Sequence, residues 1–417
     1  MEVVTEKPKK KNVSVGYKRT EIGVIPDDWI VKEFGNITKP SNLRISATNT
    51  DRNIKCIELE HIQQGTGQVD GYSNLQDQKS TKTIFSKGDV LFGKLRPYLR
   101  KFHYAEFDGA CSTEIWVFPK GDGVDNKYLY YIVQLDSFIE ASNKSTGTHM
   151  PRADWDVVKE HKVAFPPALQ EQQAIAEALS DVDALIAELD VLIEKKQQVK
   201  KGAMQQLLTG NKRLPGFDGE WEEKKLGEVL YVQGGYAFKS ANFQKFGIPI
   251  IRISNIQDGA IDLEESAFYS PDSHIPNEFK IEKGEALIAM SGATTGKVGL
   301  YSHDQVAYQN QRVGKFVVND SRHTDDSYIL HLVSSDHFRK VLSKELEQGA
   351  QPNVSAKQLE GLVFNMPNDV EEQKAIAQIL GDIDAEIQGL QSKRVKYEQI
   401  KQGMMQELLT GKTRLVE

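Results

Sequence analysis

Cysteine is nearly absent: Cys56 and Cys111 are the only two in 417 residues. This excludes a disulfide-stapled secreted fold, and two thiols cannot complete a zinc site alone. Each is expected to be a small buried hydrophobe in a reducing, cytoplasmic setting. No apolar run approaches the roughly 20 residues that cross a bilayer, so no membrane partner is expected. Met1–Lys11 is charged, without the apolar centre of a signal peptide. Also missing are His-x-x-x-His and Cys-x-x-Cys pairs, a glycine-rich dinucleotide fingerprint after a strand, and the aromatic-flanked Asn-Pro-Pro of an adenine methyltransferase. Gly292-Ala-Thr-Thr-Gly296-Lys297 is no phosphate loop, because three residues separate its glycines and Val298 stands where Ser or Thr should hold magnesium. It is either a plain turn between strands or a turn that brings Lys297 to a DNA phosphate. With no catalytic motif, no metal site and no cofactor site of its own, the chain is expected to perform no chemistry itself.

Proline is also scarce, and none falls between Ala168 and Leu214 or after Pro367. These two stretches are copies of each other. Pro166–Leu214 and Pro367–Leu415 align without a gap, with 24 of 49 positions identical. Glu171-Gln172 recurs as Glu372-Gln373, and Leu207-Leu208-Thr209-Gly210 as Leu408-Leu409-Thr410-Gly411. Ile175, Leu179, Val182, Ile186 and Leu189 fall in steps of four and three, as do Ile376, Leu380, Ile383, Ile387 and Leu390. That is the seam of a coiled coil, and these ten residues are the expected packing surface. In the second copy the seam is expected to run on through Tyr397, Ile400, Met404 and Leu408. Thr-Gly closes each copy as a helix C-terminus should. Two matched helices with apolar seams are expected to pack on one another as an antiparallel pair.

The expected fold class is α+β: two globular α/β domains separated by two long antiparallel coiled-coil helices, in a pseudo-twofold repeat. Residues 1–16 form a flexible arm, 17–165 the first domain, 166–211 the central spacer helix, 212–366 the second domain and 367–417 the C-terminal spacer helix. The domains share only landmarks. Pro26-Asp-Asp-Trp29 answers Pro215-Gly-Phe-Asp-Gly-Glu-Trp221, Phe34-Gly35 answers Leu226-Gly227, and Lys87-Gly88-Asp89 answers Lys283-Gly284-Glu285. Strands are expected at Lys55–Ile62, Asp89–Leu95, Glu114–Phe118 and Lys162–Phe165, then at Pro249–Ile256, Ala286–Met290 and Arg312–Val318. One helix is expected in each domain, at Asn126–Ala141 and Ser327–Leu342. Because the segment after the first helix matches the N-terminal one, the chain reads as a ring cut open, its C-terminus near the start of the first domain.

The overall net charge of −7 argues against wholesale nucleic-acid binding. By segment it is +2 over 1–165, −3 over 166–211, −4 over 212–366 and −2 over 367–417. DNA contact therefore has to come from local patches on the domains. In the first domain the candidates are Arg44 and the run Lys94-Leu-Arg96-Pro-Tyr98-Leu-Arg100-Lys101. If the strand continued, alternation would put Lys94, Arg96 and Tyr98 on one side. In the second they are Lys239, Arg252, Asn255, Lys297, Gln311, Arg312, Gln351 and Asn353. Arg and Lys suit phosphates, Arg also guanine, and Asn or Gln adenine. A solvated surface is the plain alternative for each.

The duplicated Pro-x4-Glu-Gln-x-x-Ile-Ala opening, the Leu-Leu-Thr-Gly-x-x-Arg-Leu close and the Pro…Trp…Leu-Gly segment together resemble a specificity subunit of a type I restriction–modification system. Ser291–Val298 and Asn310-Gln311-Arg312 are similar to stretches of that family's target-recognition domains. The resemblance covers nearly the whole chain. It implies that each domain reads one half of a bipartite site in double-stranded DNA. Two methyltransferase subunits would clasp the helices and endonuclease/translocase subunits would join them, using S-adenosylmethionine, ATP and Mg in the partners and none in this chain. The matched helices would then fix the spacer between half-sites. A coiled-coil scaffold that binds proteins without DNA specificity is the alternative.

Overall fold

The computed structural model describes residues 14–46, 53–144, 151–346 and 353–415. The expected N-terminal arm lies outside them up to residue 13. Two helices of 39 residues dominate, Leu169–Leu207 and Val370–Leu408. Each stops at a glycine in the left-handed region, Gly210 at φ 70° and Gly411 at φ 72°, the conformation a helix stop requires and a side chain resists.

The contacts divide the chain into two units, Met1–Glu188 with Lys393–Glu417, and Leu189–Ser392. Each unit holds one globular domain, the front of the helix that follows it and the rear of the other helix. In the first, Lys401 pairs with Asp183 at 2.7 Å. In the second, Lys200 pairs with Asp384 at 2.6 Å and Lys196 with Glu386 at 2.8 Å. The front of one helix lies against the rear of the other, so the packing is antiparallel. Ile175, Leu179, Val182, Leu189, Ile376, Leu380 and Ile387 are buried, and Ile186, Ile383 and Leu390 are half-buried. The later part of the seam differs from expectation. Leu408 is buried as expected, but Ile400 is 39% exposed, while Met405 and Leu409, outside the expected seam, are buried. A straight helix turns by 3.6 residues, so a strict seven-residue stripe drifts by about 20° per heptad.

In the first unit, Ile30–Glu33 pairs antiparallel with Lys162–Phe165, the strand that leads into the central helix. Five short strands run in the order Arg44–Ile45, Lys82–Phe85, Gly109–Cys111, Lys55–Ile57, Ser73–Asn74, and three more in the order Ile115–Phe118, Val90–Gly93, Phe102–Tyr104. Trp29, Phe34, Phe92, Phe118, Tyr128, Phe138 and Phe165 fill the core, and Ile175, Leu179, Leu408 and Leu409 from the helices complete it. Both cysteines are fully buried and free. Burial pushes the Cys56 thiol up to about 12, with Glu58 adding to the rise.

The second unit repeats the plan. Trp221–Lys225 pairs antiparallel with Val363–Pro367. A six-stranded sheet includes Val313–Val318 and Ala286–Ala289, and a four-stranded sheet includes Ile248–Ile251 and Ala307–Gln309. Gly35 and Gly227 sit where a domain backbone crosses directly. A Cβ on Gly35 would lie 2.8 Å from Lys159 Cβ, and one on Gly227 3.0 Å from Glu360 Cβ. The single helix expected in each domain is two, Asn126–Ile132 with Asp136–Ser142 and Asp326–Val333 with Asp336–Leu346. In the second unit Ser335 makes the break, its Oγ accepting from Phe338 N at 3.0 Å and so capping the next helix.

Candidate nucleic-acid interface

The two domains carry one rim built twice. In the first, strand Val90–Gly93 ends in a loop over residues 94–101; in the second, Ala286–Ala289 ends in a loop over 290–297. Gly93 N donates to Lys101 O at 2.7 Å, and Ala289 N to Lys297 O at 3.0 Å. Inside the loops Leu99 N donates to Arg96 O and Thr295 N to Gly292 O. Both loops turn at two left-handed residues in the same register: Arg96 (φ 52°) and Arg100 (φ 50°), against Gly292 (φ 80°) and Gly296 (φ 84°).

Two further segments close each rim. Ala153 N donates to Lys94 O at 2.7 Å and Val354 N to Met290 O at 2.9 Å, placing Arg152 beside Leu95 and Asn353 beside Ser291. Lys94 N donates to Glu114 O at 2.9 Å and Met290 N to Arg312 O at 3.0 Å. Glu114 and Arg312 each close a small turn, their amides reaching Ser112 Oγ at 3.3 Å and Asn310 Oδ1 at 3.4 Å. Arg96, Glu114 and Arg152 thus stand where Gly292, Arg312 and Asn353 stand in the other domain.

The side chains differ accordingly. Arg96 and Tyr98 are exposed and Lys94 is half-buried. Burial holds the Lys94 ammonium below its ordinary pKa; Glu114 pulls it up, while Arg152 and Arg44 push it down. Arg44 is exposed and bonds Thr83 Oγ1. Arg152 Nε lies 3.0 Å from Glu114 Oε2, an ion pair without the alignment of a hydrogen bond. In the second domain Gln311, Arg312 and Asn353 are exposed and Lys297 is half-buried. Thr294 Oγ1 donates to Ile253 O at 2.9 Å, which fastens the loop to the segment after Arg252. Tyr236 bridges Asn310, and Gly235 permits the approach, since a Cβ there would lie 2.2 Å from Asn310 O. Glu114 Oε2, Ser291 Oγ and Arg252 Nε are buried with no hydrogen-bond partner among the described residues. Such atoms are few in folded proteins and point to a ligand or solvent contact.

Several expected site residues serve the fold instead. The run 94–101 is no continued strand, for it stops at Gly93 and Pro97 opens a short 3-10 turn, Pro97–Leu99. Arg100 pairs with Asp136 and donates to Gln134 O at 3.3 Å, and Lys101 Nζ donates to Leu59 O at 2.6 Å. Asn255 is buried, its Oδ1 accepting from Arg252 N and its Nδ2 donating to Asp262 O and Ser266 Oγ. Both polar atoms of its amide are thus engaged within the domain. Arg252 keeps one guanidinium nitrogen on Glu265 O at 2.9 Å. Lys239 is exposed before the turn Ser240–Asn242 and makes no described bond to the rim. Gln351 lies outside the described residues. Glu114 and Arg152 belong to the rim and escaped the sequence reading. The spacing from Gly88 to Gly284, carried on unchanged, sets Arg96 on Gly292 and Arg100 on Gly296.

The model of the type I restriction modification DNA specificity domain matches residues 26–200 and again 218–399. The chain belongs to this family. The type I restriction enzyme MjaVIII specificity subunit of Methanocaldococcus jannaschii is 28% identical over 411 residues, covering 94% of each chain. A solved structure described as that of a type I restriction–modification system S subunit from M. genitalium has a TM-score of 0.57 at 16% identity, covering 91% of this chain and 96% of the other. A chain from a study of complex assembly and conformational transition in the type I system also has a TM-score of 0.57, at 19% identity, covering 93% and 99%. These likenesses carry the family fold: two specificity domains with the long helices packed together. Among the described residues no helix is long and apolar enough to cross a membrane, and no group of His, Cys, Asp and Glu could hold a metal ion.

Proposed function

We propose that this chain is the DNA specificity subunit of a type I restriction–modification complex. Each domain reads one half of a bipartite target with the rim described above. The helix pair docks two methyltransferase subunits and sets the spacer, and endonuclease/translocase subunits complete the assembly. S-adenosylmethionine, ATP and Mg belong to those partners, and this chain contributes recognition without catalysis in the cytoplasm. The observation that carries the reading is the repeated rim: the same backbone hydrogen bonds with different side chains, as two readers of different sequences require. Family membership and the full-length relative support it. The test is to reconstitute the chain with its methyltransferase and map methylated adenines. An asymmetric two-part sequence is expected. Exchanging residues 30–160 for another family member's first domain should change one half only. Methylation or binding without sequence preference would leave a protein scaffold as the better account.

A further inference from the structure

The two left-handed arginines of the first rim separate a structural role from a recognition role. A side chain crowds the following carbonyl in this conformation, which is why glycine usually occupies it. Glycine does occupy both equivalent positions of the second domain, Gly292 and Gly296. Arg100 has an internal reason to be there, its ion pair with Asp136 and its bond to the Gln134 carbonyl. Arg96 has none: its side chain is exposed and makes no hydrogen bond or ion pair with a described residue. An unfavourable backbone with a charged side chain that no described residue engages is typical of a group kept for a ligand.

We infer that Arg96 reads a base edge in the first half-site, most simply the O6 and N7 acceptors of a guanine, and is a specificity-determining residue. This rests on the proposed function. Two observations favour a base over a phosphate. A phosphate looks the same whatever the sequence, so a phosphate-binding cation should recur at the equivalent place of a duplicated domain, whereas Arg96 is replaced by Gly292. The charge beside it is also inverted, with Glu114 standing where Arg312 stands. Glu114 Oε2 is buried beside the Arg152 guanidinium, 3.0 Å from Nε, and accepts no hydrogen bond from a described residue. Positions that hold the backbone geometry while exchanging charge are where two readers with different targets must differ.

The test uses the chain assembled with its methyltransferase, on duplexes varied one base pair at a time. Arg96→Gly relieves the backbone and Arg96→Lys keeps the charge while losing the two-pronged geometry. Both variants are expected to lose discrimination at a single base pair of the first half-site, by roughly ten- to a hundredfold, with the second half-site unchanged. Thermal unfolding of Arg96→Gly should be no worse than wild type, which excludes misfolding as the cause. Full discrimination in Arg96→Lys would overturn the inference. So would an equal weakening on all sequences with a flatter salt dependence, which marks a phosphate contact, or no change in either variant. Absence of sequence preference in the wild-type complex would instead defeat the proposed function itself.

Discussion

Arg414 closes on Glu171 through two parallel hydrogen bonds, Nε to Oε1 and Nη2 to Oε2, each 2.8 Å long. The Trp29 indole donates to the same carboxylate at 3.1 Å, and Arg414 also reaches Asp28. The second unit repeats this with Arg213, Glu372 and Trp221, at 2.7, 2.8 and 3.2 Å. The two glutamates are all but inaccessible, with side chains 1% exposed. The adjacent Gln172 and Gln373 hold the capping residues of the domain helices, accepting from Asp125 N and Asp325 N at 2.8 Å. The repeated Glu-Gln pair is thus a clasp between helix and domain. Arg414→Ala leaves a buried carboxylate without its counter-charge and is expected to cost about 3 kcal/mol. Arg213→Ala should destabilise its own unit in the same direction. Denaturant titration measures this; a loss under about 1 kcal/mol would class the pair with ordinary surface ion pairs.

The same clasp shows why part of the fold was legible. Arg414, Gly411 and Lys412 all touch the N-terminal segment, as the picture of a cut ring anticipates: Tyr17 donates to Lys412 O at 3.0 Å, and a Cβ on Gly411 would strike Pro26. The helices announced themselves because a periodic pattern accumulates over 39 residues. Strands such as Phe102–Tyr104 and Gly109–Cys111 are three residues long, too short for alternation to register. Arg96, Gln311, Arg312 and Asn353 were found from residue type and lie on a rim. Asn255 and Lys101 have the same chemistry but spend it internally, which only the packing reveals. Glu114 and Arg152 were missed because backbone geometry, not sequence, makes them equivalent to Arg312 and Asn353.

Acid should weaken the domains through buried histidines. Burial pushes the imidazoles of His103, His161 and His331 below the ordinary histidine pKa; for His161 nearby Lys144 adds to the fall. The unfolded chain therefore binds protons first as pH drops, at about 6.5. The stabilisation is present above that value and is lost as pH falls from about 6.5 toward the lower folded-state values. His161 Nε2 is buried without a hydrogen-bond partner, so His161→Leu should flatten the acid limb with little loss at pH 8. Melting temperatures recorded from pH 8 to pH 5 give the comparison. A steeper limb in the variant would contradict the assignment.

Glycines in crowded and in open settings should respond to alanine in opposite directions. Gly35→Ala drives a methyl to within 2.8 Å of Lys159 Cβ and 3.1 Å of its carbonyl, an overpacking worth about 1–3 kcal/mol. Gly381 and Gly389 lie within the C-terminal helix with nothing within 4 Å of an added Cβ. Alanine at either should stabilise the isolated chain by about 0.5–1 kcal/mol, since the unfolded state loses freedom and nothing clashes. Equal destabilisation by all three substitutions would show that the helix glycines meet more than open space.

If the helix pair sets the spacer between half-sites, its length can be changed without touching either rim. The units divide between Glu188 and Leu189 and between Ser392 and Lys393, so insertions there leave the contacts within each unit in place. Four added residues lengthen each helix by about 6 Å. B-DNA rises about 3.4 Å per base pair, so the preferred spacer should grow by one or two pairs. Four residues also exceed one turn slightly and rotate one end of the helix against the other by about 40°. One extra base pair rotates the duplex by a similar amount, about 34–36° for 10–10.5 pairs per turn, and two by about twice that, so a spacer one pair longer keeps the facing of the half-sites. A single insertion in one helix has no such match; it shifts one seam against the other and should cost stability. Mapping methylated adenines for the paired insertion should return the original half-site sequences with a longer gap. An active complex that keeps the original gap would mean that the distance is set elsewhere, by the partner subunits or by the DNA.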